Sequence, residues 1–91
     1  MIKSKVTVLN DAGLHARPAS ELVKLASRYS SDFFIHLDGY RVNGKSILGV
    51  LTLAAEKGTE LELEFNGNDE EPALNAVSEL FENKFNVVKK N

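Results

Sequence analysis

One of the two histidines in this chain stands in the segment Gly13-Leu14-His15-Ala16-Arg17-Pro18-Ala19-Ser20. The residues around it define a chemistry. Helical periodicity begins at Ala16, so His15 falls at a helix start. There the first amide N–H groups lack intrahelical acceptors, and the peptide dipoles sum to roughly half a positive charge, which suits an anion such as phosphate. Pro18 fits the first turn, where its missing N–H costs nothing. Arg17 adds a permanent charge whose donors form a fork matched to phosphate oxygens. Nearby positive charge favours a neutral imidazole, the form that carries a nucleophilic lone pair. These residues predict a site in which a nitrogen of His15 accepts a phosphoryl group. Arg17, the amides of Ala16 and Arg17, and the turn fixed by Pro18 would hold the product.

His36 serves as a control. It lies mid-strand beside Phe34, with no helix end and no arginine neighbour. No metal-ligand cluster, Ser-His-Asp set or carboxylate pair accompanies either histidine. Gly39-Tyr40-Arg41-Val42-Asn43-Gly44-Lys45-Ser46 matches the phosphate-loop pattern G-x-x-x-x-G-K-[ST]. That mechanism needs loop amides free to wrap a phosphate. Here Tyr40 to Val42 reads as a strand after a hairpin turn, in an antiparallel pattern too short for a parallel nucleotide-binding core. The match is therefore refused.

The elements that must position His15 follow from periodicity. Ile2, Val6 and Val8 alternate with Lys3, Lys5 and Thr7 in a first strand, and the loop 10–13 leads to the His15 helix. Ala19, Leu22, Val23, Ala26 and Tyr29 form that helix's apolar stripe. Phe33, Ile35 and Leu37 alternate again. Asp38-Gly39 then signals a tight hairpin, because both turn positions tolerate positive φ. Tyr40 to Val42 is the return strand. Asn43-Gly44-Lys45 breaks it, and Ser46 is expected to cap a short helix that ends before Gly58. Leu61, Leu63 and Phe65 alternate with Glu60, Glu62 and Glu64 in a fourth strand. Asn68-Asp69-Glu70-Glu71-Pro72 opens a last helix, buried through Leu74, Val77, Leu80 and Phe81. The order βαββαβα predicts an α+β open-faced sandwich, a four-stranded antiparallel sheet with three helices on one face. Lysines on the first strand against glutamates on the last favour pairing those two strands. The glutamate row itself reads as a solvated face.

Composition sets the frame. With 91 residues and 43% hydrophobic content, residues 1–91 make one domain with a polar tail from about residue 86. Folding would hide roughly 60–65% of the unfolded chain's surface. The absence of cysteine excludes disulfides and thiolate–zinc sites and suits a reducing cytoplasm. The first residues run directly into a strand pattern, with no apolar signal region. The longest mostly apolar run, 47–55, is too short to span a bilayer. The net charge of −2 comes with scattered lysines and arginines, so no nucleic-acid stripe is expected.

The helix after Ser46 has its own signature. Ile47, Leu48, Val50, Leu51 and Leu53 leave almost no polar face over two turns. One side can pack on the sheet; the remainder predicts an exposed apolar patch, and such patches mark interaction surfaces. Leu48 and Leu51 are the expected contacts, with Ile47 beside them and Ser20 contributing from the His15 helix.

The blocks Gly13 to Ser20 and Asn43 to Gly58 together closely resemble the HPr phosphocarrier proteins of the bacterial sugar phosphotransferase system. The resemblance runs from Val6 to Phe85, and the separation of the two blocks matches the family's. It implies the fold already read from periodicity. It implies that His15 takes phosphate on Nδ1 from phosphorylated Enzyme I and passes it to IIA domains of sugar permeases, with no cofactor or metal. It implies a regulatory phosphorylation at Ser46 by an ATP-dependent HPr kinase/phosphorylase in lineages that have one, and a transcriptional regulator among the partners. It further implies a cytoplasmic monomer without membrane insertion. The segment 53–74 is also similar to the nitrogen-branch paralogues, which use the same chemistry with other partners. Two other readings stay open: a regulatory binding module acting only through Ser46, and a phosphate-loop nucleotide binder.

Overall fold

The computed structural model describes residues 1–85; the tail expected from about residue 86 lies outside them. The elements are β1 (Ile2–Thr7), α1 (Ala16–Ala26), β2 (Asp32–Leu37), β3 (Tyr40–Asn43), α2 (Ile47–Thr52), β4 (Glu60–Asn66) and α3 (Glu70–Glu82). This is the expected βαββαβα order. The four strands form one antiparallel sheet, ordered β1-β4-β2-β3.

The pairing of first strand with last is therefore present, in a register that sets Lys3 opposite Glu64 and Lys5 opposite Glu62. Opposite charges face each other across this ladder, as the cross-strand rule favours. The inner faces of β2 and β4 contribute Phe33, Ile35, Leu61, Leu63 and Phe65, all fully buried. The Phe33 and Phe65 rings stack with centroids 4.3 Å apart. From the helical layer, α1 adds Ala19, Leu22 and Ala26, while α3 adds Ala73, Val77 and Phe81. One contiguous core results, and it holds the start of α1 in place.

Three details sharpen or correct the pattern. α2 is short and ends before Gly58, as expected, stopping at Thr52 just ahead of Ala54, which turns the backbone left-handed at φ 49°. That turn presents the Ala55 carbonyl to the N–H of Leu14 at 2.8 Å, so the helix ends where the His15 loop needs an acceptor. At the start of α3, the Asp69 carboxylate makes no cap. It accepts instead from the N–H groups of Ser30 and Ser31 at 2.8 and 2.9 Å, and from the Ser31 hydroxyl. These bonds, led by the Ser31 hydroxyl, hold the Asp69 carboxyl down at about 2.

The third detail corrects the glutamate row. Glu60 stays exposed, but Glu64 is only 8% exposed. His36 Nε2 lies 2.7 Å from one of its carboxylate oxygens, and Arg41 reaches to 3.8 Å from the other. The hairpin register places Arg41 directly opposite His36, so the expectation that His36 has no arginine neighbour is also wrong. Arg41 covers the Phe34 ring as well, 3.6 Å from its centroid. Strand alternation alone gives the face of each residue; which side chains roof a carboxylate depends on a register set by the turn. The bond to His36, with Arg41 adding charge, keeps the Glu64 carboxyl below the ordinary range.

Candidate functional site

His15 is the N-cap of α1, with extended backbone angles (φ −82°, ψ −172°) and an exposed side chain that makes no capping bond. Its position is dictated by its neighbours. Leu14 is buried in the core and its N–H is held by Ala55, while Pro18 and Ala19 are buried just beyond. With both flanks fixed inward, His15 faces solvent. Its own carbonyl accepts from the Ala19 N–H at 3.0 Å, closing the first helical turn. Pro18 has no donor to offer. Among the described residues, the N–H groups of Ala16 and Arg17 have no backbone acceptor, as expected for the first turn of a helix.

The loop before His15 is pinned on both sides. Gly13, at φ 72°, donates to the Asn10 carbonyl at 3.1 Å, and the Asn10 side-chain amide donates to the Gly13 carbonyl at 2.5 Å. Across the surface, Lys57 Nζ lies 2.8 Å from Asp11. That hydrogen bond and charge hold Asp11 below the usual carboxylate range and raise Lys57. His15, Arg17 and Pro18 line a shallow cleft of about 170 Å³, joined by Glu21, Lys84 and Phe85. The structure thus brings together the residues read as acceptor and phosphate-holding set. It adds Lys84, a residue the sequence offered no signal for, since it lies some 70 residues further along the chain at the far end of α3.

Ser46 is the N-cap of α2, and its hydroxyl accepts from the Gly49 N–H at 3.1 Å. The patch beyond it divides. Leu48 is 76% exposed and Ile47 is also exposed, whereas Leu51 is half-buried against the core and Ser20 half-buried on α1. The phosphate-loop match is absorbed by the fold. Tyr40–Asn43 lies in the antiparallel ladder, the Gly44 N–H donates to Phe33, and Lys45 Nζ donates to the Tyr29 carbonyl at 2.7 Å. No helix of the described residues is long and apolar enough to cross a membrane.

An exposed histidine at a helix start, with arginine two residues on, is matched over residues 2–83 by the family model for the phosphotransferase-system HPr component phosphorylation site. The chain belongs to the HPr family of phosphocarrier proteins. It is 52% identical over 85 residues to the phosphocarrier protein HPr of Treponema pallidum, covering 93% of this chain and 97% of the relative. The crystal structure of HPr from Thermoanaerobacter tengcongensis superposes with a TM-score of 0.91 at 40% identity, covering 93% of this chain and 96% of that one. An HPr dimer from the same organism superposes at 0.76 with 39% identity, over 96% of this chain and all of that one. At least one solved structure of the family is thus a dimer.

Proposed function

We propose that this HPr-family chain is a cytoplasmic carrier, acting as a monomer, that accepts a phosphoryl group on His15 from phospho-Enzyme I and passes it to IIA domains of sugar permeases. The observation that carries the reading is the exposed ring of His15 at a helix start, with two unengaged amides and Arg17 beside it. In the step envisaged, the lone pair of Nδ1 attacks phosphorus while Nε2 keeps its proton. The bond from phosphorus to the donor's carrier atom breaks, and its electron pair leaves with the donor. The product carries a dianionic phosphoryl group on a ring that is cationic until Nε2 releases its proton. The amides of Ala16 and Arg17 and the Arg17 guanidinium stabilise it, without metal or cofactor. The donor and acceptor proteins supply the remaining catalytic groups, so the chain is a carrier and not a catalyst.

The exposed Ile47 and Leu48 patch supports docking by these partners, with Leu51 and Ser20 at its rim. Ser46 borders that patch and is assigned as the regulatory phosphorylation site, a target for an HPr kinase/phosphorylase, with a transcriptional regulator as a further reader. The test is incubation with phosphoenolpyruvate and Enzyme I, followed by mass and acid lability. His15→Ala should abolish acid-labile uptake, while His36→Ala leaves it nearly unchanged. Equal losses in the two variants would overturn the assignment. Partner binding without any uptake at His15 would establish a purely regulatory module instead.

A further inference from the structure

The end of α3 is built to bring one cation to the His15 cleft. Lys84 and Phe85 both take left-handed backbone angles, φ 55° and 60°. Such angles are uncommon outside glycine and persist only where the surroundings fix them. Two anchors fix them here. The Phe85 N–H donates to the Leu80 carbonyl at 2.9 Å. The Phe85 ring is 7% exposed and meets Phe81 edge-on, with centroids 4.8 Å apart. With Phe85 held inward, the exposed Lys84 lines the cleft beside His15 and Arg17.

The charge balance of the cleft gives that placement a consequence. Arg17 and Glu21 both line it and stand one turn apart on α1. Their formal charges cancel, but the two make no ion pair within 4.0 Å, so the guanidinium stays available to an anion. Asp11, the other carboxylate of this region, is engaged by Lys57 at 2.8 Å and feels the Lys84 charge only as a weaker, more distant influence. Among the described residues, Lys84 makes no ion pair within 4.0 Å. Arg17 makes none either, so the lining sets two cations, Arg17 and Lys84, against the single carboxylate of Glu21, and Lys84 tips the balance to positive.

We propose that Lys84 is an anion-binding residue of this cleft, setting its affinity for a phosphate dianion and hence for the phosphoryl group on His15. The inference deepens the carrier reading and rests on it for its biological meaning. An exposed ammonium acting on a nearby charge is worth roughly twofold to fivefold in affinity.

The probe is inorganic phosphate, titrated into the full chain while the amide signals of Ala16 and Arg17 are followed by NMR. Lys84→Gln should bind roughly twofold to fivefold more weakly, and Lys84→Arg close to the unmutated protein. Lys24→Gln should be unaffected: it removes the same charge about 13 Å from His15 along the helix axis. Melting temperatures should agree, because Lys84 is exposed. Equal binding by Lys84→Gln, an equal loss in Lys24→Gln, or no phosphate response at Ala16 and Arg17 would each overturn the role of Lys84. The same proteins are then given phosphoenolpyruvate and Enzyme I. Lys84-dependent phosphate binding without phosphoryl uptake supports the anion site and overturns the carrier reading; uptake with Lys84-independent binding does the reverse.

Discussion

Replacing Gly13 by alanine should separate two effects that Gly39 allows to be measured individually. Both glycines have positive φ, 72° and 84°. An L side chain in that region costs about 1–2 kcal/mol, partly offset by about 0.4–1 kcal/mol from the stiffer unfolded chain. At Gly39 a new Cβ meets nothing within 4 Å, so Gly39→Ala should lose only about 1 kcal/mol. At Gly13 the Cβ would stand 2.5 Å from the Ala55 carbonyl oxygen and 3.0 Å from the Glu56 Cα. Both obstacles are backbone, and that oxygen is the acceptor for the buried Leu14 N–H. Pushing it away leaves a buried donor unsatisfied, worth about 1–3 kcal/mol. Gly13→Ala should therefore lose roughly 2–4 kcal/mol in total. For a chain of this size the midpoint falls about 4–8 °C per kcal/mol. Thermal melts should show a drop of about 4–8 °C for Gly39→Ala and at least twice that for Gly13→Ala. Because Leu14 fixes the approach to His15, phosphoryl uptake at 25 °C should slow in Gly13→Ala and stay unchanged in Gly39→Ala. Melting curves that coincide for the two variants would refute the argument from the Ala55 contact.

Arg17→Lys should recover less of the phosphoryl-transfer rate than its retained charge suggests, because an ammonium cannot reproduce the guanidinium fork; a full rate in Arg17→Lys, compared with Arg17→Ala, would show that charge alone suffices. Ser46→Asp keeps an acceptor and adds charge at the start of α2, so its melting temperature should hold or rise while the apparent KM for Enzyme I-dependent phosphorylation increases. Ser46→Ala, lacking the bond to Gly49, should instead lose about 1 kcal/mol, read as a fall of several degrees. For Asp69, the folded-state value of about 2 lies below the ordinary 3.8. Its contribution is thus complete above about pH 4 and lost as pH falls toward 2. Asp69→Asn should melt lower than the unmutated protein at pH 7, and the gap should close between pH 4 and 2; a constant gap would show that ionisation of Asp69 is irrelevant.

The residues show why some of this was legible beforehand. Asp38 and Gly39 adopt φ 50° and 84°, the geometry that an Asp-Gly pair signals by its chemistry alone. The β1–β4 pairing was readable because lysines and glutamates alternate on opposite strands, and charge complementarity survives without coordinates. The acceptor histidine and its arginine were readable because the helix start and its ligands are contiguous in sequence. What escaped notice depends on packing between distant segments. The Asp69 carboxylate looks like a helix cap in sequence, yet Ser30 and Ser31 offer it three donors from the turn before β2. Lys84 is an unremarkable charged residue until Phe85 is seen to be buried beside Phe81. Ala54 carries no sign of a left-handed turn, because the demand for one arises at Leu14, forty residues earlier.

The sheet order β1-β4-β2-β3 also constrains how the chain assembles. Among the described residues, β4 is the only strand that touches both β1 and β2, and it follows the other three in sequence. Until residue 66 is available, β1 has no partner and the β2–β3 hairpin must stand alone; isolated hairpins are at best marginally stable in water. Closing the sheet then requires joining Thr7 to Glu60 across more than fifty residues, a non-local step that slows folding. Every strand-bearing fragment short of β4 leaves unpaired backbone on both sides. Cooperative folding once β4 is available, with no stable sheet in fragments that stop before it, is the behaviour this topology favours.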